Sequence, residues 1–129
     1  LRSYVELTGP VPRTEILSHY AWADVLLLPS ICEGSASVVY EALATGLPVI
    51  CTPNTGSVVR DGVDGFIVPI RDIEAIAICI ERLASDANLL TQMRMAAVES
   101  HQRVSLARYR SDLESVMAQL MNPRQSIAL

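Results

Sequence analysis

The sequence predicts an α/β domain built on a parallel sheet, and three observations carry that prediction. Short runs of Val, Ile and Leu alternate with longer segments whose apolar residues recur at helical spacing. Half of the 129 residues are hydrophobic but only 5% are aromatic, which suits an aliphatic core around a sheet buried on both faces. The segments after the apolar runs are rich in Gly, Pro, Ser, Thr and Asn, the residues of tight connections. With 19% charged residues, the composition argues against disorder.

The elements follow in order. Residues 4–7 (Tyr-Val-Glu-Leu) read as a short strand stopped by Thr8-Gly9-Pro10. Pro12 and Thr14 open a helix with Ile16, Leu17, Tyr20 and Ala21 on one face. Residues 25–28, a Val and three Leu ended by Pro29, read as a strand buried on both sides. After a polar loop at 30–35, a helix is expected over 36–45, ending at Gly46 with Pro48 beyond it. Residues 48–51 form the next buried strand, and 52–56 a loop of turn residues. A helical turn is expected at 57–60, then two Asp-Gly turns, then a fourth strand at 66–68. Asp72 and Asp86 are placed to cap the next two helices. A last helix over 105–120 is expected to turn Leu106, Tyr109, Leu113, Val116, Met117 and Leu120 inward.

Composition also narrows the function. A net charge of -4 leaves no basic footprint, so no nucleic-acid partner is expected. The longest apolar run, residues 75–80, is far short of the ~18 residues of a membrane span. Cys32, Cys51 and Cys79 are too widely spaced to suggest a metal site or a disulfide framework. The chain opens on Leu1-Arg2-Ser3-Tyr4-Val5, already strand-like, and reads as a piece of something longer.

The chemistry is expected at the carboxyl ends of the parallel strands, where ligands of open α/β sheets sit. Helix N-termini point there with free N–H groups and positive partial charge, which suits a diphosphate. In the loop after the second strand, Glu33 precedes Gly34, and Glu41 follows eight residues after Glu33 inside an apolar helix. A carboxylate accepts two hydrogen bonds at once, which fits the vicinal hydroxyls of a ribose or hexose. Taken singly, Glu33 reads equally as a first-turn acid, Glu41 as a solvated helix residue, and Ser35 and Ser37 as caps. Arg60 reads as a surface residue or an anion contact. No Ser-His-Asp arrangement, GxGxxG or GxxxxGK[ST] is present.

Together these segments resemble the donor-binding, C-terminal half of the GT-B glycosyltransferases, specifically the retaining family 4. The resemblance rests on residues 23–30 (ADVLLLPS), on Cys32-Glu33-Gly34 through Glu41-Ala42-Leu43-Ala44-Thr45-Gly46-Leu47-Pro48, and on 61–69 (DGVDGFIVP). Glu33 and Glu41 stand at the family's E-x7-E spacing. The resemblance implies a Rossmann-like three-layer parallel sheet, part of the GT-B C-terminal domain, with about four strands and C-terminal helices. It implies a domain over residues 1–121 lacking its first two βα units, and a frayed tail over 122–129.

It also implies transfer of a hexose from a UDP-, GDP- or ADP-sugar with retained configuration, without a metal or other cofactor. The acceptor would be a glycan, a lipid or a small molecule. Glu33 would meet the transferred hexose, as the catalytic residue, and Glu41 the ribose. The amides around Gly34, Ser35 and Ala36 would face the diphosphate, with Thr8, Gly9, Pro29 and Ser30 near the base and ribose. Two departures stand out. The family's Gly-Gly-hydrophobic-Pro-Glu loop is here Asn54-Thr55-Gly56-Ser57-Val58. The Gly-Arg turn and the Lys that neutralise the diphosphate have no counterpart, since Arg2 and Arg13 stand elsewhere.

On that reading the acceptor domain is a missing N-terminal partner, and the piece is inactive alone. The strand at 4–7, deprived of its neighbours, is expected to pair with the strand at 25–28 or to swap into a homodimer. The expected location is cytoplasmic, with any hold on the cytoplasmic membrane face supplied by the upstream part. A non-catalytic nucleotide-sugar-binding or scaffolding module of the same fold is the alternative.

Overall fold

The computed structural model describes residues 4–56 and 58–121. In chain order the elements are α1 (Ile16–Trp22), β1 (Leu26–Leu28), α2 (Ser37–Ala44), β2 (Val49–Cys51), a 3-10 turn (Pro53–Thr55), β3 (Gly65–Ile67), α3 (Ile73–Ser85), α4 (Ala87–Arg103) and α5 (Leu106–Met121). The three strands lie in the order β1-β2-β3 and all pairs are parallel. Leu28 stands opposite Cys51, and Cys51 opposite Ile67. The carboxyl ends of all three strands therefore share one edge.

Alternation along β2 divides the core. Val49 and Cys51 face one layer, with Tyr20, Val39, Ala42, Leu43 and Leu47. Ile50 faces the other, with Phe66, Val68, Cys79 and Leu83. The helix α4 serves both layers, giving Ala97 to the first and Met93 to the second. A strand buried on both faces in this way is why its three residues are uniformly apolar.

Local signals set the helix ends. Gly46, at φ 78°, closes α2 with a Schellman motif. The Leu47 amide donates to the Ala42 carbonyl at 2.9 Å, and the Gly46 amide to Leu43 at 3.0 Å. Asp72 accepts from the Ala75 amide at 2.9 Å to start α3. Asp86 accepts from the amides of Asn88 and Leu89 to start α4. No helix among the described residues is long and apolar enough to cross a membrane.

Three expectations are corrected. Among the described residues the sheet has three strands, because residues 4–7 form none. Tyr4 and Leu7 are exposed and no ladder joins this segment to β1. Its β-branched and aromatic residues favour extension, but a strand needs a hydrogen-bonded neighbour and β1 does not supply one. Residues 58–60 form no helical turn. The Asp64 carboxylate captures the Arg60 amide and guanidinium there, both at 2.7 Å, and holds the segment in an open loop. The face of α5 carrying Leu106, Tyr109, Leu113, Val116, Met117 and Leu120 is exposed rather than inward. Periodicity predicted the helix correctly, but none of the other described elements covers it. Residues 122–129, with the expected tail, lie outside the described residues.

Candidate functional site at the carboxyl edge of the sheet

The site is built where β1 and β2 end. Beyond Leu28 the chain crosses Pro29 and Ser30, projects Cys32, Glu33, Gly34 and Ser35 into solvent, and turns down into α2 at Ser37. The helix starts without a side-chain cap. Its first amides, on Ser37 and Val38, are thus left to the edge together with the positive end of the helix dipole. The Gly34 backbone has nothing near it where a Cβ would go. The open space at Gly34 belongs to whatever lies outside the protein.

The loop leaving β2 is fastened to the loop leaving β1. The Thr52 hydroxyl donates to the Ser30 carbonyl. The Asn54 side-chain amide donates to the Ile31 carbonyl at 2.7 Å. The Ala36 amide donates to the Thr55 carbonyl at 3.3 Å. Gly56, at φ 58°, packs so tightly that a Cβ there would lie 2.0 Å from the Gly34 carbonyl oxygen. The same contacts engage one of the three amides of the expected Gly34, Ser35 and Ala36 group. The Ala36 N–H is already engaged, and Ala36 is buried at 6% exposure. The amides of Ser37 and Val38, next along the chain, start α2 with no side-chain cap. Ser35 shares a 3.0 Å hydrogen bond with the Tyr40 hydroxyl.

Glu41 lies one turn further along α2 and is half-buried. The Tyr20 hydroxyl, from α1, donates to its Oε2 at 3.0 Å. Tyr20 is 6% exposed. Burial, then the hydrogen bond to Glu41, then the Glu41 charge push the phenol up to about 12. The pair engages one carboxylate oxygen of Glu41 and fixes its orientation. Sequence reasoning placed Tyr20 in the core and missed this role. The available signal was that a carboxylate in an apolar helix needs a donor, and Tyr20 is an OH-bearing residue on a neighbouring apolar face.

Thr8 and Gly9 are not brought to this loop pair. Thr8 lines a separate open cleft of about 690 Å³ with Tyr4, Glu6, Ser18, His19 and Trp22. Arg60 does not turn to the edge either. It binds Asp64, Ser100 (3.0 Å) and the Ala96 carbonyl (3.3 Å). Asp64 is fully buried and also accepts from Ser100. Arg103 joins that cluster at 3.8 Å and donates to the Val58 carbonyl at 3.3 Å. This cluster, centred on the buried Asp64 and Ser100, has no signal in the sequence and ties the end of α4 to the segment that continues the β2 loop.

Fold and edge together define a class: an α/β domain with a parallel sheet, whose carboxyl edge carries an uncapped helix N-terminus with Glu33 before it and Glu41 one turn within it. Comparison with known proteins gives the family. The chain belongs to the glycosyl transferases group 1 family, whose model matches residues 1–86. It is 32% identical over 120 residues to D-inositol 3-phosphate glycosyltransferase of Kribbella flavida, covering 85% of this chain and 28% of that protein. It is 34% identical over 92 residues to an amylovoran biosynthesis glycosyltransferase of Erwinia amylovora, covering 65% of this chain and 23% of that one. The fold superposes on sucrose-phosphate synthase from Thermosynechococcus elongatus with a TM-score of 0.79 at 25% identity, over 94% of this chain and 31% of that one. The chain thus spans under a third of the length of these proteins.

Proposed function

We propose that this chain is the nucleotide-sugar-binding part of a retaining glycosyltransferase that moves a hexose from a nucleoside-diphosphate sugar to an acceptor. The observation that carries the reading is the uncapped start of α2 between Glu33 and Glu41. A diphosphate seated on the Ser37 and Val38 amides meets the positive helix end. Glu41, held through Oε2 by Tyr20, offers Oε1 to the ribose hydroxyls. Glu33, on the exposed tip, reaches the hexose.

In the transfer, the bond between the anomeric carbon and the diphosphate oxygen breaks. The acceptor oxygen forms the new bond and its proton leaves toward the diphosphate. Negative charge grows on the departing group, and a helix end already aimed there stabilises it without reorganising. The acceptor is met by surfaces beyond the described residues.

The test is a ligand-observed NMR titration with UDP-glucose, GDP-mannose, UDP and GDP, on this chain and on Glu41→Ala. Binding of one nucleotide class, weakened about tenfold or more by Glu41→Ala, supports the reading. Binding unchanged in Glu41→Ala would remove Glu41 from the ribose.

A further inference from the structure

The glutamate at the loop tip is held from below by a neighbouring loop, and this carries an inference beyond the nucleotide site. Glu33 itself is exposed, and no hydrogen bond or ion pair orients its carboxylate among the described residues. Both stems of its loop are nonetheless fixed. Thr52 and Asn54 bind the carbonyls of Ser30 and Ile31 on the incoming stem, and Thr55 receives the Ala36 amide on the outgoing stem. Gly56 sits directly under the Gly34 carbonyl. Of these contacts, the Asn54 side chain alone is exposed and free of core packing.

We propose that Asn54 is a positioning residue that sets the presentation of Glu33, and so governs how the sugar portion of the donor is held rather than its nucleotide. This rests on the nucleotide-sugar reading above. Its physical basis is a division of attachments. The helix amides and Glu41 belong to α2, which is anchored in the core through Val39, Ala42 and Leu43. The Glu33 tip belongs to a loop whose last side-chain tether before it is the Asn54–Ile31 hydrogen bond. Loss of one neutral hydrogen bond at an exposed position leaves the fold in place but releases the tip.

The experiment compares the chain with Asn54→Ala and with the near-isosteric Asn54→Asp, which cannot donate. Dissociation constants are measured for UDP-glucose, GDP-mannose, UDP and GDP, and amide exchange is followed at Gly34, Ser35 and Ala36. In both variants the preference for the nucleotide sugar over its free diphosphate should fall about 3- to 10-fold, with diphosphate binding within about twofold of wild type. Exchange at Ala36, whose amide is held by the Thr55 carbonyl, should rise while the urea midpoint stays put. An unchanged sugar-to-diphosphate ratio in both variants, with wild type binding normally, overturns the positioning role alone. Equal losses for sugar and diphosphate overturn it too, since the loop would then serve the nucleotide. Failure of wild type to bind any of the four probes, or ADP-glucose and ADP tested beside them, removes the nucleotide-sugar reading and this proposal together.

Discussion

Two glycines on facing loops have opposite requirements, and replacing each by alanine separates fold from site. At Gly56, φ is 58° and a Cβ would lie 2.0 Å from the Gly34 oxygen and 3.4 Å from the Ser35 Cα. The left-handed conformation alone costs an L-residue about 1–2 kcal/mol. Relieving the overlap requires the loops to part by roughly 1–1.5 Å, to reach a contact of about 3.0–3.5 Å. That parting strains the Ala36–Thr55 and Asn54–Ile31 hydrogen bonds, each worth about 0.5–1.5 kcal/mol. Gly56→Ala should therefore lose about 2–4 kcal/mol. With a urea slope of about 2 kcal/mol/M, the midpoint should fall by roughly 1–2 M. At Gly34 a Cβ meets nothing within 4 Å, and reduced freedom of the unfolded chain makes Gly34→Ala neutral to stabilising by up to about 1 kcal/mol. On the proposed function its methyl group stands in the path of the ligand, so nucleotide-sugar binding should weaken about tenfold or more while the midpoint holds. Chemical denaturation followed by circular dichroism, with the NMR titration beside it, reads both. A midpoint shift below about 0.3 M for Gly56→Ala, or equal destabilisation by the two variants, would refute the packing argument.

Other substitutions probe the supports of the site. Asp64→Asn puts an NH2 group against the Arg60 amide or guanidinium in a fully buried place. It should cost about 2–4 kcal/mol in urea denaturation, with Ser100 able to offset part by turning to accept. Tyr20→Phe removes the donor to Glu41. Because the folded-state phenol is raised from 10.0 to about 12, its contribution is complete below pH 10 and is lost as pH rises through about 12. Wild type should thus lose on the order of 2–3 kcal/mol across that window, and Tyr20→Phe, followed by midpoints at pH 9 and above, should lose less. Leu113→Ser and Met117→Ser on the exposed face of α5 should shift the stability of this chain by no more than about 0.5 kcal/mol. A larger loss would show that this face is buried in solution.

What was legible in the sequence is what neighbouring residues determine. The three Leu before Pro29, the Val39-Ala42-Leu43 face and Gly46 locate β1, α2 and its end to within about a residue. Asp72 and Asp86 start α3 and α4 as their side chains require. The failures share a different character. Residues 4–7 carry strand propensity, but a ladder depends on a partner far away in sequence. The apolar stripe of α5 states that something could cover it, not what does. At the site, the Glu33 loop and the start of α2 were visible because one turn of chain holds them. The Tyr20–Glu41 bond spans 21 positions and the Asn54–Ile31 bond 23. Neither has a sequence pattern, since side-chain bonds between separate elements follow no fixed spacing. The Asp64 cluster reaches from a turn to Ser100, 36 positions on, and was hidden for the same reason.

The two glutamates also differ in how firmly the fold holds them, and that difference bears on what each can select. Glu41 is fixed twice, by a helix packed through Val39, Ala42 and Leu43 and by a buried phenol on one oxygen. A group so held suits a part of the ligand whose geometry never changes, and a ribose is such a part. Glu33 rides on an exposed loop that the neighbouring loop braces only at its stems. A small change in that brace moves the carboxylate without disturbing the helix end or the core. On the proposed function, a fixed nucleotide contact beside an adjustable sugar contact would let one fold take different hexoses on one diphosphate anchor. The departure of Asn54-Thr55-Gly56 from the Gly-Gly-hydrophobic-Pro-Glu pattern falls on that adjustable element, and the sugar is where its consequence is expected.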